Sequence, residues 1–285
     1  MEEKDLNYLE ESSSGLREEI EMDLLLEGIY RLSGYDFRGY MRSSIGRRIQ
    51  NRMRMEQINR ISSLLDRAIH EPEMLNTLLN DFSINVTEMF RNPSFFRSFR
   101  EKVVPRLREL PAVRIWHAGC STGEEVYSMA ILLEEEGLSE RTHIYATDMN
   151  ERVLDQAKKG KFALTKMQNY TKNYLLSGGT RSFSEFYSAD ERFAYFRPEL
   201  MKNISFAQHN LVTDQSFNEF HVIICRNVLI YFTGTLQNQV HRLFHESLCE
   251  GGFIGLGDKE SLKFTEVAYD YQEFDPAEKI YRKIK

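Results

Sequence analysis

Residues 113–133, VRIWHAGCSTGEEVYSMAILL, constrain the fold more than any other stretch of the chain. Val113 to Ala118 carries β-branched and aromatic residues and no charge after Arg114, so it reads as a buried strand. Gly119 to Gly123 makes a tight turn, and its two glycines let the backbone pass close to a ligand without a Cβ in the way. Glu125 to Glu136 reads as a helix, because Val126, Met129, Ala130 and Leu133 fall on one face. Acids in its first turn suit the positive end of the helix dipole. Strand, glycine turn and helix open a doubly wound α/β domain, in which ligands bind at the carboxyl ends of the strands.

Three ligands are compatible with such a turn. A dinucleotide calls for G-x-G-x-x-G, which G-C-S-T-G does not supply. A nucleophile elbow, G-x-S-x-G, matches with Ser121 as nucleophile, but the earlier strands and oxyanion loop it requires are not legible before Val113. The third ligand is S-adenosylmethionine (SAM), and it predicts an acid at the end of the next strand for the ribose hydroxyls. His143-Ile-Tyr-Ala-Thr-Asp148 ends in one, and a carboxylate accepts two hydrogen bonds from a vicinal diol. The plainer role for Asp148 is N-cap of a helix from Glu151 to Lys159.

The 285 residues suit two domains, with 41% apolar residues for a core. A net charge of −6 argues against bulk nucleic-acid binding. Cys120, Cys225 and Cys249 form no C-x-x-C pair, so neither a disulfide framework nor a metal site is expected, and His117 has no acid or histidine at metal-ligand spacing. With no signal core and no bilayer-length apolar run, a cytoplasmic protein without membrane insertion is expected.

Residues 1–19 are acidic and are expected to form a disordered tail. Residues 20–108 read as a helical domain and linker, 109–285 as the α/β domain, and 161–201 as an antiparallel insertion within it. Met22, Leu25, Leu26, Ile29 and Tyr30 make the first helical stripe, which Gly34 ends. Tyr40 to Gln57 is a second helix, carrying Arg42, Arg47, Arg48, Arg52 and Arg54. Seven arginines and one acid lie between Arg38 and Arg60, which suits an acidic partner as well as a solvated face. Shorter helices at 61–69 and 73–80 split near Pro72. Phe90, Phe95, Phe96 and Phe99 are expected in the core, and Asn85, Thr87 and Arg91 among them need polar partners, for which a bound ligand would serve. Further strands are expected at 203–209, 220–225, 251–257 and, as a late edge strand, 280–284, with a helix at 236–249. In the insertion, Ser177-Gly-Gly179 between aromatic segments reads as a hairpin turn.

Five motifs in this order resemble the chemotaxis receptor methyltransferases, the CheR family: NVTEMFR at 85–91, AGCSTGEEVYS at 118–128, ATD at 146–148, HNL at 209–211 and CRNVLIYF at 225–232. The resemblance implies an all-helical N-terminal domain followed by a Rossmann-like SAM-dependent methyltransferase domain with a small inserted β-subdomain. It implies that SAM and its product S-adenosylhomocysteine are held by Asn85, Thr87, Arg91, Gly119, Glu125, Asp148, Asn210, Leu211, Asn227 and Val228, with no metal. Arg91 and Tyr231 match the positions at the reacting centre. The substrates implied are glutamates on cytoplasmic helices of methyl-accepting chemotaxis receptors, with Arg42, Arg47, Arg48, Arg52 and Arg54 docking those helices. Three positions depart from the family: His117 where a small residue is common, Met89 where an aromatic is, and Gly257-Asp-Lys-Glu260 where Gly-His-Ser-Glu is. Some members grip a receptor's C-terminal peptide on the β-subdomain edge. The longer connection Ser177–Arg192, with Glu185, Asp190 and Glu191, is expected to cover that edge and repel an acidic pentapeptide.

Other readings are methylation of another protein or a small molecule, a non-catalytic SAM-binding module, and nucleic-acid methylation. Intact Arg91, Asp148 and Tyr231 argue against the second, and the absence of an evident basic groove on the catalytic domain against the third.

Overall fold

The computed structural model describes residues 2–83 and 85–285, with side chains described from Gly15 onward. The chain divides into two compact units, Met1–Ile84 with Tyr231–Leu236, and Asn85–Ile230 with Gln237–Lys285.

The first unit is helical: α1 (Glu2–Ser33), α2 (Arg42–Glu56), α3 (Ile61–His70) and α4 (Pro72–Phe82). Leu25, Leu26 and Ile29 of α1, Ile49 of α2, Leu64 of α3 and Leu78 of α4 are fully buried, as their three- and four-residue spacing predicts. Gly34, at φ +76°, follows the end of α1, and Pro72 opens α4, where its missing N–H costs nothing. α1 starts at Glu2, so the backbone of the expected tail is helical over residues 2–19, while most of its side chains lie outside the described residues. The late visit of 231–236 is tied in by Met41 N donating to Tyr231 O (2.7 Å) and by the Tyr40 and Phe232 rings at 4.8 Å.

The second unit opens with α5 (Pro93–Ser98), a π-helical turn at Phe99–Val103 and α6 (Val104–Leu107). Residues 85–108, grouped with the helical domain in the sequence reading, belong here, because Phe90, Phe95, Phe96 and Phe99 are buried in this unit's core. Burying each ring contributes roughly 1.5–3 kcal/mol. Then follow β1 (Val113–Ala118), α7 (Glu124–Glu135), β2 (Thr142–Asp148), α8 (Glu151–Ala157), β3 (Lys161–Ala163), α9 (Met167–Leu176), β4 (Tyr187–Ala189), β5 (Phe193–Phe196), β6 (Ile204–Gln208), β7 (Phe220–Cys225), α10 (Gly234–Ser247), β8 (Leu248–Leu256), β9 (Tyr271–Asp275) and β10 (Ile280–Lys283).

The main sheet has the order β6-β2-β1-β7-β8-β10-β9. Its first five strands pair in parallel, and β10 is antiparallel to β8 and β9. The order switches direction between β1 and β7, which sets the crevice at their carboxyl ends. The expectation of an edge strand at 280–284 is corrected: β10 lies inside the sheet and β9 takes the edge.

The insertion folds as a second antiparallel sheet, β3-β5-β4. Its hairpin joins β4 to β5 through Asp190, whose Oδ1 accepts from Arg192 N and Phe193 N. Ser177-Gly-Gly179 is not a hairpin turn but the end of α9, with Gly178 at φ +85°. The connection Ser177–Arg192 does not cover the sheet edge either, since it supplies β4, which is itself an edge strand.

Candidate functional site in the second unit

The turn after β1 is folded onto the end of β2. Gly119 N and Cys120 N both donate to Thr147 O at 2.8 Å. Gly119 sits at φ +77°, and a Cβ there would stand 2.6 Å from a methyl of Val228, so only glycine allows this approach. Ser121 N donates to Asp148 Oδ2 and Asn150 N to Asp148 Oδ1, both at 2.9 Å. The N-cap of α8 is Asn150, which accepts from Arg152 N, and not Asp148. The carboxylate keeps acceptor capacity beyond these bonds for a diol hydroxyl. Burial raises the Asp148 pKa, opposed by the N–H groups of Asn150, Ser121 and Met149.

Glu125, in the first turn of α7, is held at both oxygens. His117 Nδ1 lies 3.1 Å from Oε1, and Arg226 Nη1 donates to Oε2 at 2.9 Å. Burial pushes the Glu125 pKa up, but the His117 hydrogen bond and the Arg226 charge outweigh it and keep the carboxyl below its usual range. Arg226 Nη2 also donates to Arg91 O (3.1 Å) and Asn92 Oδ1 (3.0 Å), joining the end of β7 to the 85–92 segment. Phe90 and Asn92 there have φ of 51° and 54°, strain that non-glycine residues carry at a cost of about 1–3 kcal/mol each.

Glu260 carries the turn after β7. Its Oε2 accepts from Gly257 N (2.6 Å) and Asn227 N (3.0 Å), and its Oε1 from Val228 N (2.9 Å) and Leu229 N (2.8 Å). This holds Asn227 at φ 62° and sets Val228 against Gly119. Burial raises the Glu260 pKa against these backbone donors. Asp258 and Lys259, the two departures from the family pattern, are exposed and leave this arrangement intact.

Of the residues named from sequence, Gly119, Glu125, Asp148, Asn227 and Val228 are thus joined by direct contacts to the turn and its supports. Asn85 Oδ1 accepts from Ser121 Oγ at 3.4 Å. Arg91 is half-buried, and its Nη1 donates to Val86 O at 3.0 Å. Asn210 and Leu211, both 8% exposed, follow β6, whose Gln208 pairs with Asp148. Asn210 Oδ1 accepts from Val212 N, so its side chain shapes its own loop. Thr87 is half-buried in the 85–92 segment. Tyr231 belongs to the first unit and ends a short 3-10 turn, Leu229–Tyr231. Sequence reasoning missed the roles of His117, Arg226 and Glu260, whose partners lie mostly on other elements; the one local signal was Arg226, a charge closing an apolar strand.

The arginines named for docking lie on the first unit and divide into two groups. Arg52 forks onto Asp81 (2.7 and 3.0 Å) and reaches Glu56, and Arg42 pairs with Asp23. Both are held by internal acids. Arg47, Arg48, Asn51, Arg54 and Asp81 line a cavity of about 310 Å³. Arg48 donates to Asp81 O, and burial lowers its pKa.

The groups joined at the turn fit SAM: a backbone that only glycine allows, an anion at Glu125 for an amino group, and an acid at Asp148 for a diol. No cluster of metal ligands occurs among the described residues. Residues 85–275 match the family described as CheR methyltransferase, SAM binding domain, and residues 20–83 its all-alpha domain. The chain is 48% identical over 265 residues to Cher3 of Pseudomonas putida, covering 93% of this chain and 97% of that protein. It is 30% identical over 241 residues to the chemotaxis protein methyltransferase of Salmonella typhimurium (82% and 81% covered) and 29% over 245 residues to that of Escherichia coli (84% and 83%). These matches span both units, and the chain belongs to the CheR family of SAM-dependent methyltransferases.

Proposed function

We propose that the protein is a protein-glutamate O-methyltransferase that esterifies glutamate side chains on the cytoplasmic helices of chemoreceptors, within chemotaxis signalling. The observation that carries this reading is the cationic cavity on the helical unit. Arg47, Arg48 and Arg54 face it against one acid, Asp81, a surface suited to a glutamate-rich helix.

When bound, SAM supplies a methyl group on a sulfonium, which passes to the carboxylate oxygen and leaves S-adenosylhomocysteine and a neutral ester. The chain need supply no general base, because a glutamate with a pKa near ~4.3 is already ionised at neutral pH. Its task is alignment and exclusion of water. Asp148 and Glu125 fix the ribose and amino ends. Arg91 is always charged and can hold the incoming carboxylate, while Tyr231 contributes a hydroxyl at the reacting centre.

The test is transfer of tritiated methyl groups to receptor-bearing membranes. Alkali should release the label as methanol. Label that resists alkali, or no label on receptors, would refute the proposal.

A further inference from the structure

We propose that His117 is a positioning residue for the amino group of the cofactor, acting through Glu125. The inference rests on the reading of Glu125 as the amino-group acceptor.

His117 is the fifth residue of β1 and is fully buried. Its neighbours across the sheet are Ala146 on β2 and Ile224 on β7, and neither side chain offers a hydrogen bond. The ring meets Glu125 Oε1 through Nδ1, and Nε2 has no partner among the described residues. An ionised carboxylate only accepts, so Nδ1 is the donor. A proton on Nε2 would be a buried donor with nothing to receive it, and the geometry therefore assigns the proton to Nδ1.

This hydrogen bond matters because the last torsion of a glutamate side chain is broad. A single hydrogen bond from Arg226 to Oε2 would leave the carboxylate free to turn about its axis. A second donor on the other oxygen, from a rigid ring in the middle of a sheet, fixes the plane. The side chain keeps 17% of its surface open, and each oxygen has a lone pair that neither donor uses. A cation arriving there meets an acceptor already in place and need not order it. A filler role in the core would not require a ring nitrogen on Glu125, since an apolar side chain would pack beside Ala146 and Ile224 without an unpartnered Nε2.

Calorimetry with two probes tests this: S-adenosylhomocysteine and its analogue lacking the α-amino group. Wild-type protein should prefer the amino-bearing probe. In His117→Ala the affinity for that probe should fall about tenfold while the deamino analogue binds as before, so the preference collapses. His117→Asn, whose amide nitrogen can stand where Nδ1 stood, should restore it. Equal losses for both probes in His117→Ala, or a preference that survives there, would overturn the inference. No preference in the wild type would remove Glu125 as the amino-group acceptor, and the role of His117 with it.

Discussion

Glu260→Gln is an isosteric change whose cost can be worked from the hydrogen bonds of one carboxylate. Oε2 of Glu260 accepts two backbone N–H groups, from Gly257 and Asn227, and Oε1 accepts three, from Val228, Leu229 and, at 3.4 Å, Ile230. A carboxylate accepts at both ends, whereas an amide donates at one. Whichever way the glutamine is turned, its NH2 faces at least two N–H donors. Two hydrogen bonds to a charged acceptor are worth ~1.5–3 kcal/mol each, and loop relaxation returns part, so a loss of about 3 kcal/mol is expected. For a unit of this size that lowers the melting temperature by about 6–12 °C. Cofactor affinity should fall as well, because Val228 sits against Gly119. Differential scanning calorimetry with and without S-adenosylhomocysteine measures both. Asp258→Ala and Lys259→Ala, at exposed neighbours, should stay within about 0.5 kcal/mol of wild type. If Glu260→Gln melts within a degree of wild type and binds the product normally, the carboxylate does not support the turn as argued.

Asp148→Ala should weaken SAM and S-adenosylhomocysteine alike by about 1.5–3 kcal/mol for each ribose hydrogen bond removed, and unchanged calorimetric affinity would exclude Asp148 from the site. Tyr231→Phe should lower turnover on receptor substrate more than it lowers cofactor affinity; full turnover would deny the hydroxyl a part in the reaction. Reversing Arg47 and Arg54 to Glu should raise KM for receptor while cofactor binding holds, and the wild-type rate should fall with salt. Arg52→Glu should instead destabilise the helical unit, because it breaks the fork onto Asp81; a normal melt with a raised KM would contradict this. His241 is fully buried without a partner at either nitrogen, and burial lowers its pKa to about 4. The unfolded chain takes up that proton near ~6.5, so its contribution to stability is full above that pH and is lost on acidification toward 4, about 3 kcal/mol in all. Urea titrations at pH 7 and pH 5 should show a steeper slope in wild type than in His241→Leu, where His221 and His245, also lowered by burial, still contribute.

The parts of the fold legible in the sequence are those where burial leaves a pattern. β1 is buried on both faces after Arg114 and reads as a run without charge, while β2 alternates buried and half-buried residues over its first half. Tyr271–Asp275 hid as a strand because only its end residues, Tyr271 and Asp275, are buried, and it lies on an edge. α9 was mistaken for hairpins because its aromatic content outweighed its period, yet Met167, Tyr170 and Tyr174 are buried at helical spacing. In the site, Gly119 and Asp148 were readable because a turn and a strand end are local features. Glu260 was not, since four of its five donors lie in a different turn, at 227–230, and a glutamate in a polar loop carries no mark of burial. His117 lacked any partner at metal spacing, but its partner is a carboxylate on the following helix, reached only once the strand and helix pack.

The buried acids of the second unit bear on how one site can serve both reactants. Glu125 is balanced by Arg226, and Glu260 by five backbone N–H groups. Asp148 shares its charge between the N–H groups of Ser121 and Asn150. What these acids present to a ligand is therefore directed lone pairs more than net negative field. An unbalanced carboxylate about 5 Å from an incoming substrate carboxylate would oppose it by ~3 kcal/mol at an effective dielectric of ~20, a factor of roughly a hundred in rate. The same charge would bind the sulfonium more tightly in the ground state, where positive charge is greatest, than in the transition state, where it is being neutralised, and so would slow transfer again. Pairing each acid internally removes both penalties and keeps lone pairs for the hydrogen bonds proposed to fix the ribose and amino group. On this argument Arg226 belongs to the chemistry of the site as much as the acids do, although it needs to touch neither reactant.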